Sequence, residues 1–209
     1  MTSLMTDSPS PLDLFALPAG ARELLFTEAR TANTFSDEPV TDAQLEAIHE
    51  LTKWGPTAAN TQPMRILYVR TPEARERLVG HMSDGNKEKT RTAPVVAVVA
   101  ADLEFHEFVP KVFPIRPEMK DFLAGDPTGR ERMARFNAAL QAGYYLLAVR
   151  AAGLAAGPMT GFDVDGLDRE FFPEGRWTSL MVVNIGKPGH NAWFDRLPRL
   201  DYDEVTRVV

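Results

Sequence analysis

Apolar and polar positions follow two rhythms along this chain, and each rhythm predicts its own kind of element. From Pro11 to Ala29, Leu14, Leu17, Leu24 and Leu25 are separated by Glu and Arg, which predicts one or two short helices broken at Pro18. Thr41 and Gln44 can satisfy free N–H groups reciprocally at a helix start. Leu45, Ile48 and Leu51 follow at helical spacing until Gly55-Pro56 stops the run. RILYVR reads as a strand, Pro72 to Met82 as a short helix, and PVVAVVAAD, beginning at Pro94, as a β-branched strand covered on both faces, which together make a β-α-β unit. Between Leu103 and Gly129 regularity fails: Phe105, Phe108, Phe113 and Phe122 mix with prolines and a Gly-Asp-Pro turn, which predicts a helical excursion or lid. Arg130 to Ala152 is the longest predicted helix, central and largely buried, with Met133, Phe136, Leu140, Tyr144 and Leu147 near a common period. A short helix from Val164 to Phe172 and a buried strand TSLMVVNIG complete the pattern.

No repeat and no linker interrupts this order. A single domain over residues 12–209, with helices and strands interleaved around one sheet, is expected, preceded by a mobile Ser/Thr/Pro-rich tail at 1–11. Composition narrows the class. With 44% apolar and 25% charged residues in 209, the chain has the make-up of a soluble globule with a substantial core. A net charge of -6 without a basic run argues against nucleic acid as a partner. The absence of cysteine removes disulfides, iron–sulfur clusters and thiol catalysis. The N-terminus lacks a basic n-region and an apolar core, and no apolar run approaches the roughly 20 residues that span a bilayer, so the cytoplasm is the expected location and no membrane partner is expected.

Familiar catalytic constellations are missing. His49, His81, His106 and His190 have no metal-ligand spacing, so no metal is expected. Neither a nucleophile elbow, a P-loop nor a dinucleotide fingerprint follows a strand, which points to chemistry borrowed from a cofactor. Three segments offer ligand chemistry. Arg30, Thr31 and Asn33 supply a guanidinium fork, a hydroxyl and an amide, suited to a phosphate and an adjoining polyol. The turn from Pro56 to Pro63 carries Asn60 and Gln62, whose amides donate and accept together as the edge of a planar heterocycle requires. Gly157 to Gly161 is glycine-flanked, so backbone can approach a ring closely. Taken singly, each also reads as ordinary structure: a surface arginine, a well-capped turn, a strand end.

ARTANTF, GPTAANTQPMR, GNKEKTRTAPVVAVV, GLAAGPMTGFD and RLPRLDYDEV occur in that order, from about Leu14 to Val205. In these motifs the chain resembles the FMN-dependent nitroreductase family, and within it the RutE-type malonic semialdehyde reductases. The resemblance implies an α+β fold with a nitroreductase-like mixed β-sheet flanked by helices, in an intertwined homodimer with FMN at the subunit interface. It implies that Arg30 and Thr31 hold the FMN phosphate and ribityl end, with Asn33 beside them. Thr57, Ala58, Asn60 and Gln62 would form a turn contributed by the partner chain, with Asn60 on the flavin or ribityl. Gln62 either touches the flavin or supports Asn60. Pro158, Met159, Thr160 and Gly161 would lie at the isoalloxazine, with a backbone N–H near Met159 or Thr160 facing N5, and Arg196 or Arg199 would complete the phosphate clamp. Ala29 stands where many members have the first of two arginines, which raises the weight on Arg196 and Arg199.

The activity so implied is ping-pong hydride transfer from NAD(P)H through flavin N5 to a small aldehyde, malonic semialdehyde (3-oxopropanoate), giving 3-hydroxypropanoate in pyrimidine degradation. No catalytic side chain is required, because FMN carries the chemistry. Phe105, Phe108, Lys111, Phe113 and Arg116 are the candidates for selectivity. The alternatives are a broad nitro, quinone or enone reductase, and a non-enzymatic FMN-binding protein.

Overall fold

The computed structural model describes residues 14–209, so the tail expected at 1–11 lies outside the described residues. The chain begins with α1 (Ala19–Arg22), starting at Pro18 and continued by a wider π turn at Glu23–Thr27, then α2 (Asp42–Thr52). β1 (Met64–Val69), α3 (Pro72–His81), α4 (Asp84–Thr92) and β2 (Val95–Asp102) follow. The excursion holds a 3-10 turn (Phe105–Phe108), α5 (Val109–Val112) and α6 (Met119–Ala124). The long α7 (Pro127–Ala151), β3 (Ala155–Met159), α8 (Val164–Phe171), β4 (Trp177–Gly186) and the short α9 (Tyr202–Val205) complete the order. The expected capping box forms, with the Thr41 hydroxyl accepting from the Gln44 N–H and the Gln44 amide oxygen accepting from the Thr41 N–H.

The strands form a four-stranded sheet ordered β1-β2-β4-β3, and the pairings among the described strands are antiparallel. Every residue of β2 is buried. Alternation sorts its side chains: Val95, Ala97 and Val99 pack with Ile48, Tyr145 and Val149 of α2 and α7, whereas Val96, Val98 and Ala100 pack with Leu78 and Leu167 of α3 and α8. This is the α+β architecture the sequence leads one to expect.

Three local expectations need correction. The β1-to-β2 connection contains α4 as well as α3, and it returns antiparallel, like a wide hairpin. The segment DGNKEKTRT has no apolar period, and among its residues Thr90 alone is buried. It is helical through ion pairs one turn apart, Lys87 with Asp84 and Arg91 with Glu88. On α7 the face buried by the chain itself is the small and polar one, Ala134, Asn137, Ala138, Gln141, Ala142 and Tyr145. Phe136 remains 65% exposed, with Leu140 and Tyr144 beside it, and on α2 Leu51 is exposed too.

The excursion is helical, as expected, and rooted in the core. Phe105 and Val109 pack with Leu123, Ala134 and Ala138. Asp102, fully buried, accepts from Arg65 at 2.6 Å and from Arg176 at 3.0 Å, and both guanidinia lie over the Phe108 ring.

Candidate functional site

After the π turn the chain runs extended beside β3. The Ala32 N–H donates to the Ala156 carbonyl at 3.3 Å, and a Cβ on Gly157 would stand 2.8 Å from the Ala32 oxygen, so the approach requires glycine. On its other side the segment is held by the C-terminal stretch, where the Asn33 N–H donates to Ala192 and the Gly189 N–H to Thr34, each at 3.0 Å. Local backbone pairing therefore fixes Arg30, Thr31 and Asn33 against residues 188–196.

These residues line a cavity of about 330 Å³ together with Arg150, Arg196 and Arg199. Arg30 donates to the Phe194 carbonyl at 2.8 Å, and Arg196 to the carbonyls of Thr27 and Ala29. Arg199 donates to its neighbours Leu197 and Pro198. None of the four arginines forms an ion pair with a carboxylate among the described residues. Asp195 is the one acid lining the cavity, so four arginines face a single carboxylate, and such an excess of cations suits a dianion.

Arg150 escapes the sequence reading because a cation in the last turn of a helix is ordinarily a favourable partner for the helix dipole. Its Nη1 reaches the Leu25 carbonyl at 3.1 Å, while Nε is buried without a hydrogen-bond partner among the described residues. Burial pushes its pKa down. The signal available in the sequence was its position, a single charge closing the run YYLLAVR.

Pro158 and Met159 end the edge strand β3, where a proline costs no ladder bond on the open side, and Thr160 and Gly161 continue from it. Gly161 is a docking point for α4: its carbonyl accepts from the Ser83 N–H at 3.0 Å and from Asn86 Nδ2 at 2.9 Å. Beside it, Gly85, Glu88 and Lys89 of α4 share a larger cavity of about 640 Å³ with Asn33 and Phe194. Asn33 and Phe194 line both cavities, so the two adjoin, the second running along α4.

The turn before β1 is built differently. Ala59, Asn60 and Gln62 all have left-handed backbone, with φ of 50°, 51° and 45°. Such residues are strained and persist only when their surroundings over-determine them. Here the Ala58 N–H donates to Asn137 Oδ1 at 2.7 Å, the Gln62 N–H to Thr57 Oγ1 at 3.2 Å, and Thr61 Oγ1 to the Ala58 carbonyl at 2.9 Å. Gln62 Nε2 donates to Asn60 Oδ1 at 3.0 Å, and Asn60 Nδ2 to the Val112 carbonyl of α5 at 2.7 Å. Within one chain, then, Gln62 supports Asn60, and Asn60 ties the turn to the excursion.

One chain does not bring all the candidate residues together. Arg30, Thr31, Asn33, Arg196 and Arg199 share a cavity, and Pro158 to Gly161 lie along the same edge of the sheet. Thr57, Ala58, Asn60 and Gln62 precede β1 at the opposite edge, beyond β2 and β4.

A family model described as the nitroreductase family matches residues 27–187. The chain belongs to the nitroreductase family. The matched span takes in the Arg30 segment, the turn, α4 and β3, whereas Arg196 and Arg199 lie beyond it. A Streptomyces coelicolor protein provisionally named an NADH dehydrogenase/NAD(P)H nitroreductase is 58% identical over 187 residues, covering 90% of this chain and 93% of that protein. Among solved structures, a Bacillus subtilis protein provisionally described as a nitroreductase superposes with a TM-score of 0.77 at 22% identity, covering 88% of this chain and 97% of that one. An Exiguobacterium sibiricum protein, also described provisionally as a nitroreductase and solved in complex with FMN, gives a TM-score of 0.76 at 18% identity over 90% of this nitroreductase-family chain and 96% of the other. At these identities the likeness is one of fold.

Proposed function

We propose that this nitroreductase-family chain is an FMN-dependent NAD(P)H oxidoreductase. Family membership itself makes it an oxidoreductase. The observation that carries the cofactor is the arginine cavity: cationic side chains without carboxylate partners among the described residues, lying beside a strand where Gly157 leaves no room for a Cβ against the Ala32 carbonyl. The donor set fits a phosphate monoester, and the FMN complex of the Exiguobacterium sibiricum relative supports its identity.

When bound, FMN supplies two-electron transfer between NAD(P)H and an acceptor. The protein's own residues bind and orient it. Arg30 and Arg196 hold the phosphate, with Arg199 adding charge at the mouth of the cavity. Thr31 and Asn33 offer a hydroxyl and an amide to the ribityl chain, and Pro158 to Gly161 form the wall for the ring. The Asn60 turn reaches that wall from a second copy of the chain. A homodimer is accordingly part of the proposal, and it gives the exposed Phe136, Leu140 and Tyr144 face of α7 a partner. Gln62 acts through Asn60, fixing the orientation of its amide. The excursion over residues 103–129 borders the acceptor pocket through its bond to Asn60.

For the acceptor we propose a small aldehyde, malonic semialdehyde, on the strength of the GPMTGFD and RLPRL motifs. A second reading, reduction of nitro compounds, is favoured by the name of the Streptomyces coelicolor relative. Turnover with malonic semialdehyde, a quinone and a nitroarene under one electron donor decides between them. Efficient aldehyde turnover supports the first reading, and turnover confined to the quinone and nitroarene overturns it.

A further inference from the structure

We infer that Arg150 is a partly buried anchor of the phosphate site, a ligand-binding residue rather than a helix-end surface charge. The inference rests on the phosphate role proposed above for the Arg30 cavity. An arginine closing a helix ordinarily turns to that helix's last carbonyls or to water. Arg150 instead sends Nη1 to the Leu25 carbonyl and lines the same cavity as Arg30, Arg196 and Arg199.

Its Nε is buried and has no partner among the described residues. Buried N–H donors are almost always paired in a functional state, and a charged one is the least tolerable exception. Among the described residues no carboxylate pairs with it, and the cavity brings three further arginines against a single acid, Asp195. An anion in the cavity would meet a guanidinium that has no carboxylate partner and would relieve the like-charge crowding.

Arg150 also differs from Arg199 in how it is positioned. Arg199 lies on an exposed stretch and bonds to adjacent carbonyls. Arg150 follows Ala148 and Val149, which are buried in the core against β2 and β4, so its place is set before a ligand arrives. A rigidly held guanidinium selects for the phosphate of the ligand and is indifferent to its ring.

The test titrates wild type, Arg150→Met and Arg150→Lys, each stripped of flavin, with FMN and with riboflavin, following flavin fluorescence, and measures Tm with and without inorganic phosphate. The expected result for Arg150→Met is a Kd for FMN raised about tenfold or more, the loss expected for one charge-assisted bond. Riboflavin binding should be unchanged, and the phosphate-induced rise in Tm should disappear. Arg150→Lys keeps the charge without the fork and should fall between the two; it carries the test if the Met variant does not fold. An unchanged Kd for FMN, or equal weakening of FMN and riboflavin, overturns the assignment. If the wild type binds no FMN but gains Tm with phosphate, and Arg150→Met does not, the flavin reading falls while the Arg150 assignment stands. If the wild type responds to neither ligand, both fall.

Discussion

Gly157 lies so close to Ala32 that a Cβ on the glycine would stand 2.8 Å from the Ala32 carbonyl oxygen. That contact seats the Arg30 to Asn33 segment on β3. Gly157→Ala should push the two backbones apart and cost about 1–3 kcal/mol, as overpacking against backbone does. Denaturant melts should show the loss, and flavin retention should weaken with it because Arg30 moves. A midpoint equal to wild type would show that the contact is not restrictive.

The strained turn before β1 depends on a residue far away in sequence. Asn137 is buried on α7 and accepts the Ala58 N–H at 2.7 Å. Asn137→Ala removes that acceptor, at a cost of about 0.5–1.5 kcal/mol. The consequence specific to this architecture is local. Hydrogen exchange should accelerate at residues 58–62 well before the sheet opens, and uniform acceleration across the protein would contradict it.

Acid should expose a buried histidine. Burial, and then the charge of Arg130, hold the His106 pKa below its ordinary 6.5, against the opposing pull of Glu104 and Glu107; Lys120 lowers it further. The unfolded chain therefore binds the proton more readily than the native one. The stability associated with neutral His106 is complete above pH 6.5 and is lost as pH falls from there through the lowered native value. His106→Gln should flatten that part of the Tm-against-pH curve, and an identical slope in both proteins would remove His106 from the account.

The exposed stripe on α7 makes a prediction about assembly. Phe136, Leu140 and Tyr144 adjoin exposed Leu51 and Trp54, at and just beyond the end of α2. Phe136→Glu should convert a dimer to monomer by sedimentation and release the flavin, since the Asn60 turn would no longer reach the ring from the second copy. A wild type that sediments as a monomer and still holds FMN would refute the two-copy site.

What the sequence made legible follows from how local each signal was. The β-branched run at Val95 announced a strand buried on both faces, and Thr41 with Gln44 announced a helix start, because neighbouring residues settle both. The segment DGNKEKTRT concealed a helix because its support is ion pairing and a side-chain bond to distant Gly161, with no apolar period. On α7 the large apolar residues looked like the buried face. A close-packed sheet instead admits the alanines, and the larger side chains are left outward. Of the candidate site, Arg30 and Gly157 were marked by their motifs, whereas Arg150 was not, since its role appears only once α7 and the Arg30 segment are neighbours.

In the proposed function the arginine cavity and the cavity beside it hold FMN that NAD(P)H reduces. The most direct measurement is the visible spectrum of the purified protein, saturated with FMN, desalted, and titrated anaerobically with NADPH and NADH. One flavin should be retained per chain, with its visible absorbance bleached by at least one of the two donors and restored on addition of an acceptor. A protein that emerges colourless, or one whose bound flavin neither donor bleaches, would contradict it.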